Sequence, residues 1–452
     1  MNDTDSAALY QDIRLNARRR TLSLLSSIVS EQQVEAFCQK AGLEYRDRIF
    51  PPHVTLCGML LQAFNDNKSQ SKTVIKLMEQ LHEAGRPTGS HDPHSFCTAR
   101  QRLPEGLIPW LTQQTAHLLE KRVCFRPDSW NRPVKLVDGT TVSMPDTPEN
   151  AAYFGYPGGQ AEGCGFPQAR ICAVFSLATG ALLDVEIDPI RTSENEQWTR
   201  IQEKLNSGDI GVGDRLFGSY AAIVRLRQRG ADGIFRLHQT RKAPPGDWTD
   251  RIVTWKKKKR PAGMSIKDYR ALPNTIRIRL IRANQVDPDT KRKTEIIIAT
   301  TLLNADLYPA DMIVKLYGRR WEVEIDLRHV KSAMKMKVLS GKLPHTVTLE
   351  IRAHLLAYNV LRILMWQAGT KHRVDPLRLS LERTRHEMLA YYKACAPRRP
   401  KRFQKLLDDV ASHRIPDRPG RVEPSVVKRR HSKFPHMTKP REVLRRELCQ
   451  TA

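Results

Sequence analysis

Four side chains that can do chemistry lie close together in the segment YGRRWEVEIDLRHVK. It belongs to a stretch, residues 309 to about 336, whose pattern predicts a single helix. At about 100° per residue, the four side chains fall within about 60° of one another around that helix. They are Tyr317, Arg320, Glu324 and Lys331. The helix is therefore expected to present an acid, two cations and a phenol along one narrow stripe.

An apolar stripe runs beside these four side chains, so one edge of the helix is predicted to pack on a core. It consists of Leu316, Val323, Leu327, Val330 and Met334. The neighbouring acids Glu322 and Asp326 are predicted to point to the far side, which singles out Glu324. The simpler alternative is a solvent-exposed helix whose spaced Arg and Glu pairs each contribute a few tenths of a kcal/mol.

The spacing Tyr-x2-Arg-x3-Glu-x6-Lys resembles the signature of the insertion-sequence 4 family of DDE transposases, and all four positions and three spacings match. The resemblance implies an α/β protein with an RNase H-like catalytic domain that carries out cut-and-paste DNA transposition. It implies that Glu324 is the third metal-binding carboxylate. It also implies a homodimer that binds the terminal inverted repeats of its element and the target DNA.

Composition agrees with a DNA-binding protein. The 75 Lys and Arg residues against 48 Asp and Glu residues give a net charge of +27, which favours a polyanionic partner. The sequence contains no apolar run long enough to cross a membrane, and its N-terminus does not resemble a secretion signal. We expect a cytoplasmic, nucleoid-associated bacterial protein whose eight scattered cysteines are reduced.

Residues 1–125 are predicted to form a helical domain that binds the DNA ends, with helices near 10–29, 31–41, 53–66, 72–84, 94–103 and 107–121. The short basic piece SFCTARQRLP follows a turn, as a DNA recognition helix would. Its Arg100 and Arg102 are candidates for contacts with bases or phosphates. A surface helix with the same two arginines is the alternative.

Residues 130–238 are predicted to be the first part of the catalytic domain. Strands are expected near 133–142, 169–177, 181–190, 209–214 and 233–238, with helices before and after the fourth strand. The resembled family uses this order in its RNase H-like sheet.

Residues 239–308 are predicted to be a β-rich insertion with strands at 251–255, 275–283 and 294–302 and the basic run KKKKR. Arg277, Arg279 and Arg282 are expected along one sheet face, facing either phosphates or solvent. Residues 309–372 would complete the catalytic domain, and residues 373–452 form a basic C-terminal region.

Phosphodiester cleavage and strand transfer require two divalent ions, and Mg²⁺ prefers carboxylate ligands from separate elements. Asp138 ends the apolar LVD run, and Gly139 would let a metal ion or phosphate approach closely. Asp214 ends the fourth strand, where the resembled family places its second Asp. We therefore expect Asp138, Asp214 and Glu324 to be the catalytic residues and to bind two Mg²⁺ ions, with Mn²⁺ as a substitute. The competing acids are Asp146, Asp184 and Asp188.

By resemblance, Tyr317, Arg320 and Lys331 would bind the phosphates beside the cleaved bond. Trp321 lies near the same helix face, and related enzymes stack a tryptophan on a flipped base. Trp255 in the insertion is the other candidate, and the sequence does not decide between the two.

Two other functions are compatible with parts of the sequence. One is a transposase-derived DNA-binding protein that no longer cuts. The other is a recombinase that uses Tyr317 as a covalent nucleophile. The second lacks the expected scattered Arg/His/Arg set leading to a C-terminal Tyr.

Overall fold

Eight β-strands form one sheet in the computed structural model, and helices make up most of the remaining secondary structure, so the chain is a mixed α/β protein. The structure describes residues 30–45, 49–83, 88–123, 129–159, 163–261, 263–286, 293–337, 339–393, 400–416 and 438–450. The helix predicted at 10–29 lies outside these residues. The chain divides into two compact units.

One unit is helical and contains residues 1–122, 179–183 and 328–416. Its N-terminal helices are α1 (Glu31–Lys40), α2 (Pro52–Phe64), α3 (Gln70–Glu83), α4 (His94–Gln101) and α5 (Leu107–Glu120). They confirm the five helices predicted within the described N-terminal residues. Contrary to the prediction, the short helix α4 does not present Arg100 for contact with bases or phosphates. Arg100 is buried and donates to Gln62 Oε1 at 3.3 Å. This arginine stabilises the helical core and is not available to DNA, whereas Arg102 is exposed.

The sheet belongs to the other unit, residues 123–178, 184–327 and 417–452. Its strands run in the order β3-β2-β1-β4-β5-β8-β7-β6. Their bounds are β1 Val134–Ser143, β2 Gln168–Ser176, β3 Leu182–Pro189, β4 Ile210–Gly213, β5 Asp232–Arg236, β6 Asp250–Lys256, β7 Thr275–Val286 and β8 Lys293–Thr300. All the predicted strands are present.

Parallel pairing joins β1 to β4 and β4 to β5, while β2 pairs antiparallel with β1. Three helices connect these strands, namely α6 (Pro148–Phe154), α7 (Glu194–Gln202) and α8 (Tyr220–Gln228). The capping box predicted at Ser193 and Glu196 is present at the start of α7. A parallel pair needs such a crossover connection, and here α7 and α8 provide it.

The three strands of the insertion extend this same sheet, because β8 pairs antiparallel with β5, and β7 then pairs with β8 and β6. A short helix, α9 (Ile266–Ala271), lies between β6 and β7. The expectation of three arginines along one face of β7 is wrong. Side chains alternate along a strand, so Arg282 lies on the opposite face from Arg277 and Arg279. Arg279 is 1% exposed and pairs with Asp250, which leaves Arg277 as the exposed member.

The segment that carries the signature is not a single helix. It contains α10 (Ala310–Gly318), α11 (Trp321–Arg328) and a π-helical turn at His329–Ala333. Between α10 and α11, Arg320 N bonds to Tyr317 O and Val323 N bonds to Arg320 O, a three-residue spacing that tightens the helix. The π-turn then widens it. The chain passes from the sheet unit to the helical unit between Leu327 and Arg328.

The rest of the helical unit contains α12 (Pro344–His372), α13 (Leu381–Lys393) and α14 (Pro400–Ser412). Most residues of α12 are buried, which confirms the prediction that the apolar stretch 349–369 belongs to a core. A last helix, α15 (Arg441–Gln450), lies in the C-terminal region, and the intervening basic residues 417–437 are outside the described part of the chain.

Candidate active site

Asp138 and Asp214 follow equivalent positions of two paired strands. Leu136 on β1 pairs with Val212 on the parallel strand β4, and each aspartate lies two residues beyond its member of that pair. Neighbouring strands are about 4.8 Å apart, so the two acids lie at the same level, Asp138 within β1 and Asp214 just beyond the end of β4. Asp214 then caps a short 3₁₀ turn, where its Oδ1 accepts a hydrogen bond from Arg215 N at 2.6 Å.

Gly213 allows the two strands to approach closely at this point. A Cβ atom at residue 213 would lie 2.7 Å from Val137 Cγ1 and 3.1 Å from Phe217 Cβ. Val137 and Gly213 each directly precede a candidate catalytic aspartate. A larger residue at 213 would therefore push apart the backbones that carry Asp138 and Asp214.

The carboxyl group of Asp138 lies in a site that disfavours its charge. Burial raises its pKa to about 6, while the hydrogen bond from Gly139 N at 2.8 Å and the Arg320 guanidinium favour the charged form. Glu324 and Glu194 raise the pKa further. Asp138 therefore interacts with both Arg320 and Glu324 of the signature.

Glu194 is an acid at this site that the sequence did not single out. Its carboxylate lies against Gly139, where an added Cβ would be 2.6 Å from Glu194 Oε1. Arg170 on β2 holds the same oxygen through Nη1 at 3.0 Å. The glycine was expected to admit a metal ion or a phosphate, but in the structure it admits this carboxylate. The only sequence clue was the glycine itself, because no motif contains Glu194.

Arg320 links three groups of the site. Its Nη1 donates to Glu324 Oε1 at 2.9 Å. Burial works against the charge of Arg320, but Tyr317, Glu324 and Asp138 together raise its pKa. Burial raises the pKa of the Tyr317 phenol, and Asp214 raises it further. Arg320 and Glu324 therefore interact with Asp138, and Tyr317 interacts with Asp214.

The other residues of the segment differ in part from the prediction. Glu322 pairs with Arg319 at 2.7 Å, away from Glu324, but Asp326 is buried instead of facing solvent. Lys331 lies in the π-turn of the helical unit, where burial and Lys337 lower its pKa.

Trp321 and Trp255 differ in their availability to DNA. Trp321 is 43% exposed, and the Arg320 guanidinium lies 5.5 Å from its ring centre. Trp255 is only 6% exposed and is covered by Arg241, whose guanidinium lies 4.9 Å from that ring. Burial therefore favours Trp321 as the residue that could stack on a base.

The competing acids are engaged elsewhere. Asp184 pairs with Lys204 at 2.9 Å, and Asp188 pairs with Arg200, both residues of the α7 region. Asp146 accepts a hydrogen bond from Tyr156 Oη at 2.6 Å. The three competing acids are thus held by residues outside the signature.

Comparisons with known proteins show the family of this chain. The transposase DDE domain family matches residues 129–360, just over half of the 452-residue chain. The chain belongs to this family.

Two curated relatives cover most of this transposase. Transposase InsG for insertion sequence element IS4 of Escherichia coli K12 is 23% identical over 441 residues, which are 93% of this chain and 95% of the relative. The transposase for insertion sequence element IS421 of Escherichia coli is 23% identical over 74% of this chain and 91% of its own. A piggyBac transposase synaptic complex with hairpin DNA, solved by cryo-EM, aligns over 87% of this chain and 85% of its own, at 11% identity and a TM-score of 0.42.

The chain is therefore a DNA transposase of the insertion-sequence 4 type, an enzyme that cleaves DNA and transfers strands. No helix of the described chain has the length and apolar character needed to span a membrane.

Transposases of this family use divalent metal ions, and the donor set of this site suits them. Asp138, Asp214 and Glu324 offer hard carboxylate oxygens. Burial and the neighbouring carboxylates raise the pKa of Asp138. This concentration of negative charge would attract a divalent cation. Among the residues that the structure describes, no three His, Cys, Asp or Glu side chains are grouped closely enough to hold a metal ion.

Proposed function

We propose that this transposase moves its insertion sequence by a cut-and-paste route in which Asp138, Asp214 and Glu324 are the catalytic acids. The observation that carries the proposal is the shared register of Asp138 and Asp214 beyond the β1–β4 pair, with Asp138 coupled to Arg320 and Glu324. Carboxylates from two strands and one helix would thus serve one reaction centre.

The three acids would hold two Mg²⁺ ions, for which Mn²⁺ could substitute. When bound, such ions activate the attacking oxygen and stabilise the leaving oxygen of a phosphodiester. A bound cation would favour the charged form of Asp138 and so oppose the burial that raises the pKa of this carboxyl group.

The other residues of the signature would bind DNA. Arg320 has a forked guanidinium that can hold a phosphate through two hydrogen bonds, with the Tyr317 hydroxyl beside it. Lys331 would contribute a point charge to a neighbouring phosphate. Trp321, exposed next to Arg320, would stack on a base near the cleaved bond.

The strand order β3-β2-β1-β4-β5, with β1, β4 and β5 parallel, supports an RNase H-like core. We propose the catalytic domain at 130–238 and 309–372, with 239–308 as its insertion. Residues 1–125 would bind the terminal inverted repeats, and 373–452 would form a basic C-terminal region. The transposase would act at the nucleoid, as a homodimer on two DNA ends and the target DNA.

The test is cleavage of a supercoiled plasmid that carries the gene together with its flanking DNA. D138N, D214N and E324Q should each abolish Mg²⁺-dependent nicking at the element ends while retaining binding to a duplex of those ends. D188N is the matched control and should cut normally, because Arg200 holds Asp188 outside the site. Normal cutting by any one of the first three variants would exclude that residue.

A further inference from the structure

Lys68 is a lysine of the helical unit whose charged group lies inside the protein. It follows α2, and its Nζ donates to Ala63 O at 2.7 Å and to Met334 O at 2.5 Å. The third partner is His354 Nε2 on α12, at 2.6 Å. One side chain thus joins the end of an N-terminal helix, the end of the signature segment and the central helix of the unit.

The tautomer of His354 follows from the hydrogen bond of its second ring nitrogen, Nδ1. His354 Nδ1 lies 2.7 Å from Glu350 O, an acceptor, so Nδ1 carries the proton and Nε2 accepts. Burial lowers the pKa of Lys68 to about 7, and in its protonated form Lys68 donates to all three of its partners, which uses every proton of the ammonium group. A neutral or shorter side chain could not make this set of contacts.

The loop that carries Lys68 is itself held in place. Arg385 is 1% exposed and donates to Phe64 O at 2.6 Å and to Asp66 Oδ1 at 2.9 Å. Gln62 Nε2 donates to Lys68 O at 2.7 Å. These bonds maintain Lys68 in a left-handed backbone conformation, with φ at 51°. The ammonium group is therefore presented from a fixed position.

The contact with Met334 lies at the end of the π-turn that contains Lys331. Met334 N bonds to His329 O at 2.9 Å, which closes the wide turn, and Lys335 then leaves the helix with φ at 54°. The carbonyl groups at a helix end have no partner within the helix. Lys68 supplies a partner to one of these carbonyl groups, because its Nζ donates to Met334 O. π-helical turns are rare and are often found at functional sites.

We propose that Lys68 is a positioning residue for Lys331, because it caps the π-turn and thereby fixes the direction of that lysine. The inference rests on the proposed function, in which Lys331 binds a phosphate. It adds a role for the N-terminal helical region, which would orient a residue of the signature in addition to binding DNA ends.

The experiment is a double-mutant cycle on the full chain, with K68M, K331A and K68M/K331A. Binding to a duplex of the flanking DNA is measured from low to high salt. The logarithm of the DNA-binding constant falls linearly as the logarithm of salt concentration rises. K331A should reduce the magnitude of this slope by about one, as expected for one lost phosphate contact. K68M should lower the slope by the same amount, and the double variant should lower it no further. Nicking should fall about 10- to 100-fold in all three variants, without multiplication.

K72M is the matched control, since Lys72 is an exposed lysine four residues away. Whatever effect K72M has on nicking should multiply with that of K331A when the two substitutions are combined. If K68M does not fold, K68R replaces it: its planar guanidinium keeps the charge but cannot reproduce three tetrahedral donors, so the same slope loss is expected.

The outcomes separate the two ideas. A wild-type slope in the folded Lys68 variant, or effects that multiply with those of K331A, would overturn the positioning role alone. An unchanged slope in K331A would overturn the phosphate contact of Lys331, and the positioning role with it.

Discussion

The Glu194 carboxylate lies against the Cα of Gly139, one residue beyond Asp138. Arg170 holds that carboxylate from β2 at 3.0 Å, and an added Cβ at residue 139 would lie only 2.6 Å from Glu194 Oε1. The pair of Arg170 and Glu194 thus packs against the residue that follows Asp138, a proposed catalytic acid. Neither Glu194 nor Arg170 belongs to the signature.

Gly139→Ala should therefore lower both stability and cleavage. Relieving the overlap requires the end of the Glu194 side chain to shift away from Arg170, for which about 1 kcal/mol or less of unfolding free energy is the expected loss. Urea unfolding measures the first effect and plasmid nicking the second. Gly158→Ala is the control, since nothing lies within 4 Å of a Cβ added there. Adding Glu194→Ala to Gly139→Ala should restore part of the stability; a further, fully additive loss would show that the two residues do not conflict.

Trp321 and Trp255 should separate DNA binding from stability. W321A removes an exposed ring and should change the unfolding free energy by less than about 1 kcal/mol, whereas W255A removes a buried ring and should cost about 3 to 5 kcal/mol. A 2-aminopurine base placed at the cleaved end of the flanking DNA reports base unstacking. Its fluorescence should change in W321A and remain as in wild type in folded W255A. The reverse pattern would assign the stacking role to Trp255.

The sequence predicted the strands and the spaced motif that carry the candidate acids better than it predicted the surroundings of those acids. Asp138 and Asp214 follow apolar runs that form β1 and β4, and Glu324 belongs to a spaced motif, so local pattern was sufficient to select them as candidates. The burial of Arg100 and Arg279 depends on Gln62 and Asp250, which are 38 and 29 residues away in sequence. An arginine in a basic chain looks the same in either setting until its partner is known.

The interruptions of the signature segment were unpredictable for a similar reason. The tight turn at 319–320 and the π-turn at 329–333 are backbone adjustments that keep Tyr317 and Leu327 buried along an irregular path. An ideal helical wheel assumes a constant rotation per residue. It placed Tyr317, Arg320 and Glu324 well because they are close in sequence, but it could not anticipate the buried position of Asp326.

Arg279 and Arg277 should behave differently although they share a face of β7. Arg279 holds Asp250 through Nε at 2.8 Å and also donates to Tyr308 O at 2.6 Å. R279A should cost about 2 to 4 kcal/mol, because it empties a buried position and removes the donors to Tyr308 O and Leu302 O. R277A should change stability by less than about 0.5 kcal/mol. If Arg277 contacts a phosphate, only R277A should lower the salt slope of DNA binding; a lower slope in folded R279A would contradict the structural role of Arg279.

His354 should make the transposase lose stability in mild acid. Burial lowers its pKa to about 3, and the nearby Lys68 ammonium acts in the same direction. Between that value and about 6.5, the unfolded chain binds a proton that the folded chain does not, so the free energy of unfolding falls as the pH falls. This one group should remove about 2 kcal/mol between pH 7 and pH 5. In urea unfolding at each pH, H354Q should lose this part of the acid dependence, whereas H82Q, at an exposed histidine, should retain it. An unchanged acid dependence in H354Q would mean that His354 takes up its proton at the same pH in the folded and the unfolded protein, so Nε2 could not remain the acceptor for Lys68 in mild acid.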